Sequence, residues 1–256
     1  MNPERITSRS NPLVTRLRKL NSKRTIRRDE GVFCCEGPKL LAEALKWKAD
    51  LETVVYAEGV TLPELPEWVR LVEVPEGLLT AVADTETPQG IVFTCKGKSL
   101  VLPDRLVGQR YLVLDGVQDP GNVGTIWRTA DAFGADGLIL CPGCADPWSP
   151  KTVRATMGAI FRLPVYETGL EILADRLAEM GIPLYATALR DDTEDVRRIS
   201  LSKAAVIIGS EGRGVSELSL RLCSKTIKIP MTERCESLNA AAAAGVVLWE
   251  MARASL

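Results

Sequence analysis

The stretch LDGVQDPGNVGTIWRTADAFGA, residues 114–135, carries the pattern that decides the fold class. An apolar run ends at Asp115, a glycine-containing polar loop follows, and a helical pattern begins near Asn122. Apolar residues then recur at the spacing of a helix with one buried face; they are Val123, Ile126, Trp127, Ala130 and Phe133. A buried strand, a loop and an amphipathic helix in this order predict a βα unit.

The same alternation continues on both sides of this unit. Strand-like runs occupy residues 111–115, 137–141, 163–167, 183–189, 204–209 and 226–231, with helical patterns between most of them. Alternating strands and helices predict an α/β fold with a mostly parallel sheet that is covered on both faces. Ligands in such folds bind at the carboxyl ends of the strands, where the polar loops of this sequence fall.

A second, smaller α/β domain is predicted upstream, over residues 1–100. Asn11 to Leu20 reads as an amphipathic helix, and Gly37-Pro38 opens another helix that runs through Ala44. Apolar segments follow at 51–57, 69–74 and 90–94, with a helical stretch at 76–83. The segment 96–110, rich in Gly, Lys, Pro and Asp, reads as a linker, so the second domain is expected to cover residues 105–256.

Composition limits the possible chemistry. The chain has 256 residues, is 46% hydrophobic and contains no histidine. The lack of histidine excludes a Ser-His-Asp triad, a Cys-His pair and HExxH zinc chemistry. Seven cysteines, an odd number, fit a reducing compartment. Since neither a signal peptide nor a membrane-spanning run is present, we expect a cytoplasmic protein that binds neither membrane nor metal.

The charge distribution points to a polyanionic partner. The net charge is −1, yet residues 1–28 hold nine basic residues and a single acid. Such a basic arm predicts contacts to RNA phosphates, although a solvated helix face is the alternative. The basic residues are Arg5, Arg9, Arg16, Arg18, Lys19, Lys23, Arg24, Arg27 and Arg28.

Familiar nucleotide and metal motifs do not fit. The sequence CKGKS (95–99) lacks the glycine that a phosphate-binding loop needs, because Val92 stands there. Neither GVQDPGNVG (116–124) nor GSEGRG (209–214) matches GxGxxG. Cys141 and Cys144 have CxxC spacing, but without histidine or a second CxxC a turn is favoured over a zinc site.

Three segments remain that could carry chemistry. In the first, Arg128 lies one turn past Gly124, on an open helix face; a surface arginine or a salt bridge to Asp131 is the alternative. In the second, IIGSEGRGVS (207–216), a strand runs into a glycine loop that carries Glu211; the alternative is a flexible turn. In the third, IKIPMTERCESLNAAAAAGVVLWEM (227–251), Ser237 stands where a helix N-cap belongs; the alternative is a good helix former in which Ser237 and Asn239 are only caps.

Together these segments resemble the SpoU (TrmH-like) family of RNA ribose 2′-O-methyltransferases, in the SPOUT superfamily. The resemblance rests on Asn122 with Arg128 six residues later, on a glycine-flanked Glu, and on an Ile-Pro-Met strand end followed by Ser-Leu-Asn. The last two motifs match Gly209, Glu211, Gly214, Ile229, Pro230, Met231, Ser237, Leu238 and Asn239. Residues 1–100 resemble, more loosely, the L30e-like substrate-binding domain that many members carry.

The resemblance implies a C-terminal trefoil knot, an obligate homodimer and S-adenosyl-L-methionine as cofactor. It implies that Arg128 is catalytic, by stabilising the developing ribose alkoxide, and that Asn122, Glu211, Ser237 and Asn239 support it. Residues implied to hold the cofactor are Thr187, Ala188, Gly209, Glu211, Gly214, Ile229, Met231 and Leu238. The small side chains at 240–244 and the apolar Val246, Val247 and Trp249 are expected at the dimer contact.

Other functions stay open at this point. A knotted methyltransferase that acts on a base is the enzymatic alternative, and a non-catalytic RNA-binding protein of the same fold is the other. Ribosomal RNA and transfer RNA are both possible substrates, and the separate N-terminal domain favours ribosomal RNA.

Overall fold

A computed structural model describes residues 3–190, 193–232, 234 and 237–254. Its strands are β1 (Glu4–Arg5), β2 (Val32–Glu36), β3 (Leu51–Ala57), β4 (Arg70–Val74), β5 (Ile91–Lys96), β6 (Arg110–Asp115), β7 (Gly137–Leu140), β8 (Val165–Glu167), β9 (Leu184–Thr187), β10 (Glu194–Asp195), β11 (Ala204–Gly209) and β12 (Lys225–Lys228). Its α-helices are α1 (Pro12–Ser22), α2 (Arg24–Glu30), α3 (Pro38–Lys46), α4 (Glu76–Val82), α5 (Pro120–Ala132), α6 (Pro150–Thr156), α7 (Leu170–Glu179), α8 (Glu217–Leu222) and α9 (Ala240–Ala252).

The chain forms two compact units. The first, called unit 1, comprises residues up to Lys98 together with Asp146–Phe161, and unit 2 comprises Ser99–Ala145 and the chain from Arg162 onward. The division after Lys98 lies within the linker that the sequence predicts. The excursion of 146–161 into unit 1 is not predicted, because the apolar pattern of that segment shows burial but not which core it joins.

Unit 1 has a five-stranded mixed sheet in the order β1-β4-β3-β5-β2. Strand β5 runs antiparallel to both β2 and β3. The predicted amphipathic helix is confirmed as α1, which Asn11 caps by accepting a hydrogen bond from the Leu13 amide at 2.8 Å. Leu13, Leu17 and Leu20 are buried in the core of the unit. This helix therefore belongs to the folded body of unit 1.

A buried ion pair and stacked rings hold the segment 146–161 in unit 1. Arg27 pairs with Asp146 at 2.7 Å, and both side chains are more than nine-tenths buried. The Phe33 ring stacks on that of Trp148 with centroids 6.1 Å apart. Arg28 lies over the same Trp148 ring, 5.0 Å from its centroid. The segment thus supplies core contacts of the N-terminal unit although it is distant in sequence.

Unit 2 has a seven-stranded sheet in the order β10-β12-β9-β11-β6-β7-β8, and every pairing in it is parallel. This confirms the predicted α/β fold with a mostly parallel sheet. Strand β12 ends at Lys228, before the predicted Met231, and Pro230 has no N–H to continue the ladder. Strand order does not describe threading, so the knot stays a prediction.

The predicted N-cap of the last helix is wrong by two residues. Asn239, and not Ser237, caps α9, because its Oδ1 accepts hydrogen bonds from the amides of Ala241 and Ala242 at 2.9 and 3.3 Å. In the described part of the chain, no helix is long and apolar enough to cross a membrane.

Candidate active site

The carboxyl edge of the parallel sheet holds a carboxylate that fixes the loop after β11. Asp115, the last residue of β6, accepts hydrogen bonds through Oδ2 from the Ser216 amide at 2.7 Å and the Ser219 hydroxyl at 2.6 Å. Ser216 is itself the N-cap of α8. The ends of two neighbouring strands are thereby tied together, a role that the sequence did not assign to Asp115.

The glycine-containing loop is a closed turn. The backbone groups of Ser210 and Gly214 exchange two hydrogen bonds, of 3.0 and 2.9 Å. A Cβ on Gly209 would overlap the backbone of Gly214, so only glycine fits there. Gly214 has φ +67°, which also favours glycine, whereas a Cβ on Gly212 would meet open space. This ordered turn carries Glu211.

Three segments that are distant in sequence meet through side-chain amides. The Asn122 Nδ2 donates to Oε1 of Glu211, which joins the start of α5 to the glycine loop. The Asn239 Nδ2 donates to Oδ1 of Asn122 at 3.3 Å, which joins α9 to the same point. Asp119 caps α5 by accepting from the Asn122 amide at 2.9 Å. The three predicted motifs therefore converge in unit 2.

Beside this network lies a cleft of about 530 Å³. All eight predicted cofactor-binding residues line it, as does Ser237. Sequence reasoning missed further lining residues, among them Leu189, Ser210 and Lys228. The motifs of the sequence give these three residues no role. The one signal is structural, because the apolar side chain of Leu189 is 62% exposed. The volume falls within the range of about 300–1,000 Å³ that small-molecule sites occupy.

Arg128 projects from the exposed face of α5. Within the described residues it makes no hydrogen bond or ion pair, so the structure does not join it to Asn122 or Glu211. The suggested salt bridge to Asp131 is wrong, since Asp131 pairs with Arg162 at 2.7 Å. The guanidinium is accordingly available to a ligand.

Cys141 and Cys144 form the turn that the sequence favours. The Cys144 amide donates to the Cys141 carbonyl at 3.3 Å. Burial raises the pKa of Cys141 to about 12 and that of Cys144 to about 11, so both remain thiols at neutral pH. The described residues include no group of three or more Cys, Asp or Glu side chains that could hold a metal ion.

The basic residues of the N-terminal arm, all in unit 1, have different environments. Arg27 is 4% exposed and pairs with Asp146, so its assignment to RNA is wrong: a buried, paired guanidinium cannot reach a phosphate. Arg16 is part-buried between Glu30 and Glu52, at 2.6 and 2.9 Å. The exposed basic residues are Arg5, Arg9, Arg18, Lys19, Lys23 and Arg24, of which Arg5 pairs with Glu58.

Unit 2 defines a class of protein: a parallel α/β domain with a ligand cleft at the carboxyl ends of its strands and a glycine turn in the cleft wall. The sequence model of the SpoU rRNA Methylase family matches residues 109–249, and that of the MRM3-like substrate binding domain matches residues 11–92. The chain belongs to the SpoU rRNA methylase family, and it is an RNA methyltransferase.

Known proteins are similar to this chain in sequence and in structure over nearly its whole length. The 23S rRNA (guanosine(2553)-2′-O)-methyltransferase RlmP of Bacillus subtilis is 32% identical, over 97% of this chain and 99% of its own length. The AdoMet-bound rRNA methyltransferase from Sinorhizobium meliloti is similar with a TM-score of 0.88 and 34% identity, over 99% of this chain and 98% of that one. The SpoU methyltransferase AviRb from Streptomyces viridochromogenes, in complex with AdoMet, has a TM-score of 0.83 and 28% identity, with coverage of 95% and 98%.

Proposed function

We propose that this protein transfers a methyl group from S-adenosylmethionine to a ribose 2′-hydroxyl of ribosomal RNA. The observation that carries the proposal is the convergence of Asn122, Glu211 and Asn239 beside a cleft of about 530 Å³. The name of the Bacillus subtilis relative specifies 2′-O transfer to 23S rRNA, which supports a ribose over a base and rRNA over tRNA.

The cleft suits the cofactor. Its wall combines exposed apolar side chains, such as Leu189, with backbone groups of the closed glycine turn. A nucleoside joined to an amino acid needs both, since the adenine packs on apolar groups and the polar ends hydrogen-bond to the backbone. The proposed cofactor residues are the eight that line the cleft, as the sequence predicts.

The difficult part of the reaction is the nucleophile, because the bound cofactor supplies an electrophilic methyl group. A ribose hydroxyl is mostly protonated at neutral pH, so the enzyme must orient it and stabilise negative charge on its oxygen. We assign that charge stabilisation to the exposed guanidinium of Arg128. It would also hold an adjacent phosphate through its planar fork of N–H donors.

The remaining polar residues orient the site. The Asn122 side chain donates a hydrogen bond to Glu211 and accepts one from Asn239, so it links the glycine turn to the start of α9. In this proposal Ser237, at the cleft wall, and Asn239 position the ribose. Glu211 fixes the turn through Asn122.

The active form is proposed to be a cytoplasmic homodimer with a knotted C-terminal domain. On α9, Val246 and Trp249 are 38% and 48% exposed, and the Trp249 ring packs edge-on against Phe133 at 5.8 Å. These apolar groups suit a subunit contact. Val247 does not, because it is buried in its own chain. A dilute sample that sediments as a monomer and still methylates RNA would exclude this assembly.

Two measurements test the activity. Calorimetry should detect S-adenosylmethionine binding to the purified protein. Mapping of 2′-O-methyl groups in RNA from cells with and without the gene should show that one ribose of the rRNA loses its methyl group when the gene is absent. A lost base methylation would instead favour the alternative enzyme, and no cofactor binding would favour a non-catalytic RNA-binding protein.

A further inference from the structure

The glycine turn of residues 210–214 and the helix that follows it form one continuous stretch. Only Val215 separates Gly214, where the turn closes, from Ser216, the N-cap of α8. Five residues at this turn line the cofactor cleft; they are Gly209, Ser210, Glu211, Gly212 and Gly214. The position of the first turn of α8 therefore determines where this wall of the cleft lies.

A polar residue anchors the first turn of α8. Ser219 is the only fully buried residue among the six of this helix, all of which the structure describes. Its hydroxyl donates to Oδ2 of Asp115 at 2.6 Å and accepts from the Ser216 hydroxyl at 3.2 Å. A buried hydroxyl without an acceptor is unfavourable, and a carboxylate makes a stronger hydrogen bond than a neutral acceptor. The position of α8 thus depends on Asp115.

The Asp115 side chain joins the two ends of the glycine turn. In the parallel pairing of β6 with β11, Asp115 is the register partner of Gly209, the residue that precedes the turn. The carboxylate oxygen that Ser219 contacts also accepts from the Ser216 amide at 2.7 Å, just past the end of the turn. The entry and the exit of the turn are therefore fixed relative to one side chain.

The sheet itself does not need this contact. Strands β6 and β11 pair along six residues, and Asp115 and Gly209 are the last pair. Leu112, Val113 and Leu114 are fully buried, so the packing of β6 remains when the carboxylate is removed. Loss of the Asp115 carboxylate should therefore act locally, on the loop beyond the end of the sheet.

The loop after β6 holds the turn at a second point. Asn122 donates to Glu211 within the turn, and Asp119 accepts from the Asn122 amide at 2.9 Å. Residues 115–122 thus contact the turn in its middle as well as past its end. Because α5 also carries Arg128, the same segment joins the cleft wall to the helix of the proposed catalytic residue.

We propose that Asp115 is a positioning residue for methyl transfer: through Ser216 and Ser219 it fixes the glycine turn in the conformation that binds S-adenosylmethionine. Asp115 and Ser219 lie outside the set of described residues that line the cleft, so their effect on the cofactor is indirect. A turn that already has its binding conformation needs no ordering when the cofactor enters. The inference rests on the proposed function only in taking methyl transfer as the reaction that the cofactor serves.

Calorimetric binding of S-adenosylmethionine to the full-length protein tests the inference without RNA. Ser219→Ala removes the hydroxyl and keeps a good helix former, so the fold should be kept. Its Kd for S-adenosylmethionine should rise on the order of tenfold, as loss of a hydrogen bond to a charged group does. Asp115→Ala should have at least this effect. Asp115→Asn should lie between Asp115→Ala and the parent, because its amide oxygen is still an acceptor but carries no charge.

The rate of methyl transfer should respond differently from the affinity. Saturating S-adenosylmethionine orders the turn, so single-turnover transfer by Ser219→Ala should then stay within about twofold of the parent rate. The KM for the cofactor should rise with its Kd. This split distinguishes a residue that positions the cofactor site from one that acts on the reacting atoms.

Thr152 in α6 provides a matched control. It is fully buried in the first turn of a helix of unit 1, and its hydroxyl donates to the Asp146 carbonyl at 3.0 Å. The hydroxyl of Ser149, the N-cap of α6, lies 2.9 Å from it. Thr152→Val therefore also removes a buried hydroxyl from the first turn of a capped helix. It should lower the unfolding temperature and leave the Kd for S-adenosylmethionine unchanged.

Hydrogen exchange measures the order of the turn directly. The Gly214 amide donates to the Ser210 carbonyl, and the Ser216 amide donates to Asp115. Both amides should exchange faster in cofactor-free Ser219→Ala than in the parent, because the turn opens more often without its anchor. Saturating S-adenosylmethionine should return the exchange of the variant to the parent rate.

Several results would overturn the inference. Ser219→Ala and Asp115→Ala that both keep the parent Kd would do so, even with a lower unfolding temperature, because Asp115 would then be a structural contact alone. An equal rise of the Kd in Thr152→Val would also do so, as would unchanged exchange of the turn amides. A parent that binds S-adenosylmethionine but methylates no rRNA would overturn the proposed substrate and leave the positioning role standing. A parent that binds no S-adenosylmethionine would overturn both.

Discussion

Asp131 pairs with Arg162 at 2.7 Å, and among the described residues this leaves Arg128, one turn earlier on α5, without an acidic partner. A guanidinium that is exposed on a helix yet unpaired is free to meet charge on a substrate. We therefore expect Arg128 to act on the substrate during methyl transfer.

Arg128→Ala should fold and bind S-adenosylmethionine like the parent but lose methyl transfer. Removing a donor that stabilises charge only in the transition state typically lowers the rate by on the order of a hundredfold or more. Arg128→Lys should rescue little, because an ammonium lacks the planar fork. Single-turnover transfer to rRNA measures this, with exposed Arg105→Ala as the control. A rate within a few-fold of the parent would make Arg128 an ordinary surface residue.

Gly209→Ala should abolish cofactor binding, whereas Gly212→Ala should not. A methyl group at residue 209 would overlap the Gly214 backbone and force the turn open, while at residue 212 it would meet open space. Calorimetric binding of S-adenosylmethionine and thermal unfolding, measured on both variants, distinguish a lost site from a lost fold. Equal cofactor affinity in the two variants would mean that the turn does not shape the cleft.

Lys19→Gln/Lys23→Gln should weaken RNA binding and its salt dependence. Both lysines are exposed in the basic arm, and each phosphate contact contributes about 0.7–0.9 to the slope of log affinity against log salt. Deleting residues 1–28 is not an equivalent test, because Leu13, Leu17 and Leu20 belong to the core. A filter-binding series over salt concentration, with Lys46→Gln as the control, checks the expectation. An unchanged slope of log affinity against log salt would mean that these lysines lie on a solvated helix face and do not contact phosphates.

Asp146→Ala should destabilise the protein by about 3–5 kcal/mol, since it leaves the Arg27 charge buried and unpaired. Asp195→Ala breaks the pair with Arg197, whose side chain is mostly exposed, and should lower the free energy of unfolding far less, because solvent screens an exposed ion pair. Urea unfolding curves of both variants provide the comparison. Equal free energies of unfolding would show that the Arg27 pair is not a core contact.

Stability should fall on acidification through Glu52. Burial raises the pKa of this carboxyl, but hydrogen bonds from Arg16 and Thr94 outweigh burial, so its pKa in the folded state is lowered. The unfolded chain then binds the proton first, so the stabilisation is present above about pH 4.3, the ordinary pKa of Glu, and is lost as pH falls through the lowered value. Glu52→Gln should flatten this part of the pH profile of the free energy of unfolding, and exposed Glu64→Gln should not. A profile unchanged in Glu52→Gln would contradict the assignment.

The sequence predicted the parts of the fold that repeat or alternate. The βα unit from Asp115 to Phe133 and the helix α1 show periodic burial, and periodicity is visible without a structure. The short strands β1 and β10, of two residues each, carry no such signal. The place of residues 146–161 in unit 1 was not predicted either, because nothing local in that segment identifies the core that it joins.

The site followed the same rule. The motif residues Asn122, Glu211 and Asn239 were recognisable by type and spacing, and they meet in space. The carboxylate of Asp115 escaped notice because its partner amide lies 101 positions away, and such a bond exists only once two strands are paired. The assignment of Arg27 to RNA was wrong because the charge of residues 1–28 counts a buried arginine together with the exposed ones.

The return of residues 146–161 to unit 1 constrains how this protein emerges from the ribosome. Asp146 and Trp148 are needed by Arg27 and Phe33, so the amino-terminal unit must wait, incomplete, while more than forty residues of its neighbour are synthesised. A nascent chain stalled after Lys98 should be readily cut by protease, and one extended beyond Phe161 should become resistant. Synthesis of unit 1 is therefore not finished before synthesis of unit 2 begins. A chain truncated at the linker would lack part of the core of unit 1.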